Sequence, residues 1–320
     1  EVSNVCLDEA WIRRFLYSFL TPDQKEQLGR SGYIVANLRQ GTMSACRAMV
    51  FSDSLGTAVV VRLHQTAPPS IEKLGLSDCV ADMLRQRKGI VVVAGGVGSG
   101  KSTTIAAMVN SIARSTKGHI IVLEENHEFA FPDSECLITY RRVGTDSETM
   151  ETAIRAAMQE DPDIIVVGNL DDSAAIEMAT QAASTGTMIL AGVRSSGCVA
   201  GIKSLCERVP DQRAFDFRVS LADVLAGIIY LELVPPSSGR RMELVHEVMP
   251  RTRELRRALI QGDFDRIHEI IARHPRATTF DASLARLVDG GKVSVDEAFA
   301  RARDGALLLR TMGVDKEIKC

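Results

Sequence analysis

The sequence predicts an α/β fold, with a small mixed unit ahead of a larger sheet-and-helix domain and a helical tail behind it. Three patterns predict it. First, short continuous apolar runs recur at Ile90 to Ala94, Ile120 to Leu123, Ile164 to Val167, Met188 to Ala191 and Gly227 to Val234. Helical periodicity fills most of the gaps, as at Met150 to Gln159 and Ser173 to Ser184, which is the alternation of a sheet buried on both faces. Second, residues 1–64 mix a helix with strand-like segments. Third, strand patterns stop after Met249 and only short amphipathic helical segments follow.

Along the chain, Thr21, Pro22 and Gln24 form a helix-start signature with Pro at the first helical position. Tyr33 to Leu38, Ala45 to Phe51 and Ala58 to Leu63 have strand composition. Pro68 and Pro69 break the pattern, and Ser77 is placed to cap a helix running through Leu84 to Gly89. In the tail, Arg253 to Gln261, Phe264 to Arg273, Asp281 to Val288 and Val295 to Arg303 read as helices, the last capped by Ser294 with Glu297. The expected divisions are an N-terminal domain over 1–64, a linker over 65–76, a central domain over 77–249 and a helical subdomain over 250–320.

Composition limits the function classes. With 320 residues the chain has room for about two domains. Apolar residues at 45% and charged residues at 25% are the balance of a folded globular chain rather than a disordered or fibrous one. A net charge of -3 without a long Lys or Arg run argues against a nucleic-acid binder. No window approaches the ~18 consecutive apolar residues of a membrane span, and no basic-then-apolar leader opens the chain, so a cytoplasmic protein is expected. The seven cysteines show no C-x-x-C pair and read as reduced thiols. The six histidines are scattered and suggest surface or core residues, not metal ligands. Trp11, Phe15, Tyr17 and Phe19 suggest core packing of a first helix. Residue 1 is Glu, so a missing natural start is expected.

One motif carries specific chemistry. Gly95, Gly96, Val97, Gly98, Ser99, Gly100, Lys101 and Ser102 match G-x-x-x-x-G-K-[ST] in full, between a predicted strand and a predicted helix that starts with Thr103. In that setting backbone amides and a helix N-terminus converge on phosphates. With ATP or ADP as the expected ligand, Lys101 is expected at the β phosphate and, in ATP, the γ phosphate, and Ser102 at Mg²⁺, the one metal expected.

Beyond this loop the chain resembles the ATPases of type II secretion and type IV pili, in particular the bacterial twitching-motility, pilus-retraction branch. Ile120 to Phe129 resembles that family's acidic box, with Glu124 and Glu128 at its acidic positions, Glu125 in place of an Asp and Asn126 in place of a Pro. Glu160 to Gly168 (EDPDIIVVG) reproduces the family's Walker B strand. The family then continues with a catalytic Glu and an Arg, where this chain has Asn169 and Asp171. Its two box histidines are replaced by Thr187 and Arg194, and the C-terminal A-I-R-x-G segment appears as Ala258 to Gly262 with Ile260 at the Arg position. Arg62, Arg141 and Arg155 match family arginines, and the resemblance implies that any of them reaches a phosphate, in cis or from a neighbouring subunit; Arg62 and Arg141 are taken as such, while for Arg155 a solvated charge on a helix face is the equal alternative.

The resemblance implies a RecA-like P-loop ATPase core with a small PAS-like N-terminal α/β domain, here shortened at its start, and a C-terminal helical subdomain. It implies a homo-hexamer, or a mixed ring with an active retraction ATPase paralogue, acting on an inner-membrane pilus platform protein from the cytoplasmic side. Because the altered positions fall in the hydrolytic half, the expected function is a nucleotide-binding motor subunit with weak or absent ATP hydrolysis. The alternative is an active hexameric retraction ATPase in which Glu124, Glu125 or Glu128 supplies the carboxylate and Arg194 steadies developing charge. An unrelated phosphate-loop kinase or DNA translocase fits neither the two-domain resemblance nor the charge.

Overall fold

Asp8 accepts a hydrogen bond from the Trp11 amide and starts α1 (Glu9–Tyr17), and Thr21 and Gln24 form a reciprocal capping box at the start of α2 (Pro22–Ser31). These belong to a computed structural model that describes residues 8–38, 46–54, 56–63, 67–125, 128–131, 134–239 and 241–312. The chain divides into two units, residues 1–68 with 128–130, and residues 69–127 with 131–320.

In the smaller unit, β1 (Tyr33–Leu38), β2 (Cys46–Asp53) and β3 (Gly56–Leu63) form an antiparallel meander. Its core is Leu16, Leu20, Ile34, Ala36, Ala48 and Val50. Of the four aromatics expected in the core, Phe19 packs against it, whereas Trp11, Phe15 and Tyr17 on α1 are exposed and correct the expectation. Trp11 and Phe15 are 48% and 42% exposed and stack on each other at 5.2 Å, because Leu16 and Leu20 occupy the inward face.

The larger unit begins at residue 69. Ile71 and Leu76, expected in a linker, are buried in its core, so the segment just before α3 (Asp78–Arg85) is part of the domain. That helix ends earlier than expected, and the Ser77 hydroxyl makes no capping bond. After it come β4 (Gly89–Gly95), α4 (Lys101–Ser115), β5 (His119–Glu124), β6 (Leu137–Arg142), α5 (Met150–Ala157) and β7 (Ile164–Val167). They are followed by α6 (Ser173–Ser184), β8 (Met188–Val193), α7 (Cys198–Glu207), α8 (Ala214–Val224), β9 (Leu225–Val234) and β10 (Glu243–Pro250). The strands form a seven-stranded sheet in the order β10-β9-β4-β8-β7-β5-β6, parallel except for β10.

Alternation within each central strand feeds two apolar layers. Val92, Ala94, Ile121, Leu123, Ile165 and Val167 face one layer, and Val91, Val93, Ile120, Val122, Ile164 and Val166 face the other. Successive side chains point to opposite faces, so an uninterrupted apolar run is what burial on both sides requires.

The tail consists of α9 (Arg253–Gln261), α10 (Phe264–Arg273), α11 (Phe280–Asp289), α12 (Val295–Arg301) and α13 (Gly305–Thr311). It is not a separate core. Leu255, Leu259, Ile267, Ile271, Leu284, Ala298 and Leu308 sit in the same buried cluster as Val92 and Ile121. The tail helices therefore complete one face of the sheet domain.

Two stability predictions follow from this packing. A Cβ at Gly192 would lie 2.2 Å from the Gly168 carbonyl oxygen, where backbone has no flexible end to move aside, whereas Gly29 in α2 has open space around it. Gly192→Ala is expected to destabilise the larger unit by about 1–3 kcal/mol and Gly29→Ala to stabilise the smaller one by roughly 0.5–1 kcal/mol, read as opposite shifts in melting temperature. In β10, burial and the charge of Arg286 push the His246 imidazole down to about 4. Its unfolded value is the ordinary one near 6.5, so the unfolded chain binds the extra proton between these values. The folded state is then fully favoured above pH 6.5 and loses on the order of 3 kcal/mol as pH falls toward 4. Melting curves across that window are expected to show this slope, and His246→Gln to flatten it.

Candidate nucleotide-binding site

The turn from β4 into α4 closes around its own glycines. Gly95 has φ 155°, and a Cβ there would lie 2.3 Å from Ser99 Oγ and 2.7 Å from the Leu231 carbonyl oxygen. Gly98 and Gly100 have φ 76° and 98°, the left-handed region that side chains disfavour. Gly96 and Val97 complete the loop, and Lys101 is the first residue of the helix. Lys101 Nζ donates to the carbonyls of Gly95 at 2.9 Å and Gly96 at 2.6 Å, so the loop curls round an ammonium group. Ser99 Oγ is buried without a hydrogen-bond partner among the described residues. Ser102 and Thr103 are half-buried in the first turn of α4, where helix amides lack intrahelical acceptors. An orphaned hydroxyl, a positive helix end and a cation held by carbonyls that compete poorly with an anion fit a phosphate chain. Ser102 offers a hydroxyl of the type that Mg²⁺ accepts beside phosphates.

Parallel register brings three more strand ends to the same edge. Ala94 pairs with Val193, so Arg194 and Ser195 leave β8 level with the loop. Val167 pairs with Ala191 and with Leu123, which sets Gly168 and Asn169 beside Glu124. The Leu170 amide donates to the Gly192 carbonyl at 2.8 Å and the Gly168 amide to that of Leu123 at 2.9 Å. Gly168 has no room for a side chain because Glu124 Cγ would lie 2.8 Å from its Cβ. Asn169 Nδ2 donates to the Asp171 carboxylate, while Asn169 Oδ1 is buried without a partner among the described residues. Arg208 donates to the Asp171 carbonyl and lies 3.7 Å from its carboxylate.

Electrostatics tie the cluster together. Burial first, and then the charge of exposed Arg194, hold Lys101 below its ordinary value, while Asp171 acts in the opposite direction. Asp171 is therefore a carboxylate within the field of Lys101; the sequence marks it only as the replacement of a family Arg and not as a site residue. Beside the loop lies a cleft of about 490 Å³ lined by loop residues, Ser195, Ser196, Tyr230 and Glu232 among others. The Tyr230 hydroxyl donates to Glu232 at 2.8 Å, and burial with that neighbour pushes its phenol up to about 12.

The remaining expected site residues lie at different distances from the loop. Glu125 follows β5 and is exposed; with Glu124 it stands three strands from β4, about 14 Å at the usual strand spacing. Glu128 groups with the smaller unit. Arg141, expected at the phosphates, is on edge strand β6, four strands from β4 and thus about 19 Å away. It pairs with Glu160 at 2.6 Å, so strand order corrects the expectation of a cis contact. Arg155 pairs with Glu151 along α5. Arg62 is on β3 of the smaller unit and its side chain lies outside the described residues, as does Asn126. Thr187 precedes β8 and is thus at the opposite end of a 6-residue strand from Arg194, about 20 Å away. It lines a separate cleft of about 300 Å³.

A phosphate loop at the C-terminal edge of a largely parallel, doubly covered sheet defines a nucleotide-binding P-loop domain of the RecA-like kind. The chain belongs to the type II/IV secretion system protein family, whose profile matches residues 31–298. It is 28% identical to the uncharacterized protein YggR of Escherichia coli (strain K12), over 88% of this chain and 87% of that protein. It is 29% identical to the type IV pilus ATPase PilU of Pseudomonas aeruginosa, over 79% of this chain and 67% of that one. Its structure is similar to the crystal structure of the pilus retraction motor PilT with bound ADP, with a TM-score of 0.85, 27% identity, and coverage of 93% of this chain and 85% of that one. Among the described residues no helix is long and apolar enough to cross a membrane.

Lys101→Ala removes the ammonium and leaves the loop glycines in place. Calorimetry with ADP is expected to show affinity lowered on the order of 10- to 100-fold, the value of a lost charge-assisted bond, with unchanged circular dichroism.

Proposed function

We propose that the chain is a nucleotide-binding subunit of a type IV pilus retraction motor of the kind that drives twitching motility, holding ATP with Mg²⁺ at its phosphate loop and hydrolysing it weakly or not at all. The observation that carries this reading is Asn169. It occupies the position where the family has a catalytic carboxylate, and its amide is engaged by Asp171. A carboxamide cannot take a proton from water, and loss of a positioned base costs about 10²- to 10⁴-fold in rate. Phosphate binding is spared, because it rests on backbone amides and Lys101. In this reading Ser102 holds the metal ion. Of the two replaced histidines, Arg194 bears on hydrolysis; Thr187, a strand length from the loop, does not.

The chain acts, in this reading, in a homo-hexamer or in a mixed ring with an active paralogue, at the cytoplasmic side of the inner membrane and against a pilus platform protein. Support comes from the names of its relatives, which include a pilus ATPase and a pilus retraction motor. Arg62 and Arg141 then serve a neighbouring subunit's nucleotide.

A second reading, an active hexameric retraction ATPase, is favoured by Glu124, whose side chain lies over Gly168 at the phosphate edge of the sheet. Glu125 and Glu128 are its other candidates. ATP binding and turnover measured side by side separate the two. The first predicts tight binding with turnover near background, and at least a tenfold gain in Asn169→Glu. Turnover on the order of 1 per second that Glu124→Gln or Glu125→Gln abolishes establishes the second instead.

A further inference from the structure

The geometry points to Arg303, acting with buried Glu247, as a positioning residue for the nucleotide site: it fixes the segment Arg194 to Cys198 that leaves β8 beside the phosphate loop. Arg303 lies in the turn between α12 and α13, beyond the family match that ends at residue 298. Three kinds of contact converge on its side chain. Nη1 donates to Glu247 Oε1 at 2.9 Å and Nη2 to the Ser196 carbonyl oxygen at 3.0 Å. The guanidinium also lies over the rings of Tyr230 at 5.1 Å and Phe280 at 4.9 Å, within cation–π range.

Glu247, on β10, is the other half of the clamp. Its side chain is 5% exposed, and a carboxylate buried that far needs a charged partner and hydrogen bonds to offset its desolvation. While Oε1 receives Arg303, Oε2 accepts the Cys198 amide at 2.9 Å, at the first residue of α7. Ser195 Oγ bonds the Gly197 carbonyl at 3.0 Å. A Cβ on Gly197 would lie 2.9 Å from Arg303 Nη2, so the segment passes directly against the guanidinium. Ser196 is thus held at its carbonyl and Cys198 at its amide by the two partners of one ion pair.

Arg303 is itself anchored. Its amide and that of Asp304 donate to the two carboxylate oxygens of Asp281, both at 2.9 Å, and Asp281 is 4% exposed in α11. The clamp therefore joins the tail helices to a wall of the nucleotide cleft, since Ser195, Ser196 and Tyr230 all line that cleft. The segment also carries Arg194, whose charge acts on Lys101. A shift of this segment moves a cation relative to the phosphate loop without touching the loop.

The inference rests on the phosphate loop being a nucleotide site, and the test keeps the two apart. Arg303→Lys keeps the charge but loses the planar fork that reaches Glu247, Ser196 and both rings. In that variant the Cys198 amide is expected to exchange with deuterium roughly tenfold faster than in the wild-type chain, and the Kd for a fluorescent ADP analogue to rise roughly tenfold, as for one lost charge-assisted contact. Arg276→Ala removes an ion pair with Asp82 elsewhere in the tail and is expected to leave both readouts unchanged. Wild-type exchange at Cys198 in Arg303→Lys overturns the proposal, and so does faster exchange with an unchanged Kd. Equal losses in Arg303→Lys and Arg276→Ala also overturn it, by reducing the effect to general stability of the tail. Lys101→Ala, losing nucleotide with unchanged exchange at Cys198, reports on the site assignment alone; a Lys101→Ala that binds as wild type breaks that assignment instead.

Discussion

Parallel pairing of β4 with β8, and of β8 with β7, sends the C-terminal ends of three buried strands to one edge of the sheet, and the site is built there for that reason. A slip by one residue would turn every side chain of such a strand into the opposite layer, against partners of the wrong shape, so close packing on both faces holds the register. The ladder thereby sets the phosphate loop, Arg194 and Asn169 level with one another. It also decides what is excluded. Arg141 is removed to the far edge by strand order, and Thr187 to the far end by strand length.

Most of the central sheet was legible in the sequence because its strands depend only on continuous apolar character, which needs no partner to be recognised. The phosphate loop was legible for a similar reason: its glycines answer to local backbone geometry. What escaped was whatever depends on a partner distant in sequence. Strand β6 (LITYRR) is an edge strand with Leu137 65% exposed, and it lacks the apolar run that burial imposes. Strand β10 (ELVHEVMP) carries His246 and Glu247 inside the core, where Arg303, 56 residues on, and the Cys198 amide, 49 residues back, make the carboxylate acceptable. The orientation of α1 escaped too. Aromatic residues alone do not say which face points inward when Leu16 and Leu20 are available for the core.

Binding and hydrolysis have different physical foundations at this edge. The phosphate loop consists of glycine conformations, orphan amides and Lys101, a set that suits an anion once the turn is folded. Hydrolysis, by contrast, calls for individual side chains at the ends of separate strands, where one substitution changes the chemistry while leaving the fold alone. Asn169 and Asp171 illustrate the point: Leu170 between them is pinned by its amide to the Gly192 carbonyl, so the path of the loop is set by backbone whichever side chains it presents.

The ion pair of Glu247 with Arg303 bears on how such a site stays ordered. A buried carboxylate is weak evidence for stability, since an apolar residue of the same volume generally packs as well or better. Its value lies in direction. An apolar contact at this position would hold α7 against β10 without specifying the path of the chain ahead of it. Glu247 accepts the Cys198 amide, and Arg303 donates to the Ser196 carbonyl, so the pair fixes two backbone groups on either side of Gly197. The tail helices, which share one apolar core with the sheet, thereby gain a directional hold on the residues that follow Arg194. Burial alone explains why the tail stays attached; the hydrogen bonds explain how its position reaches the wall of the cleft.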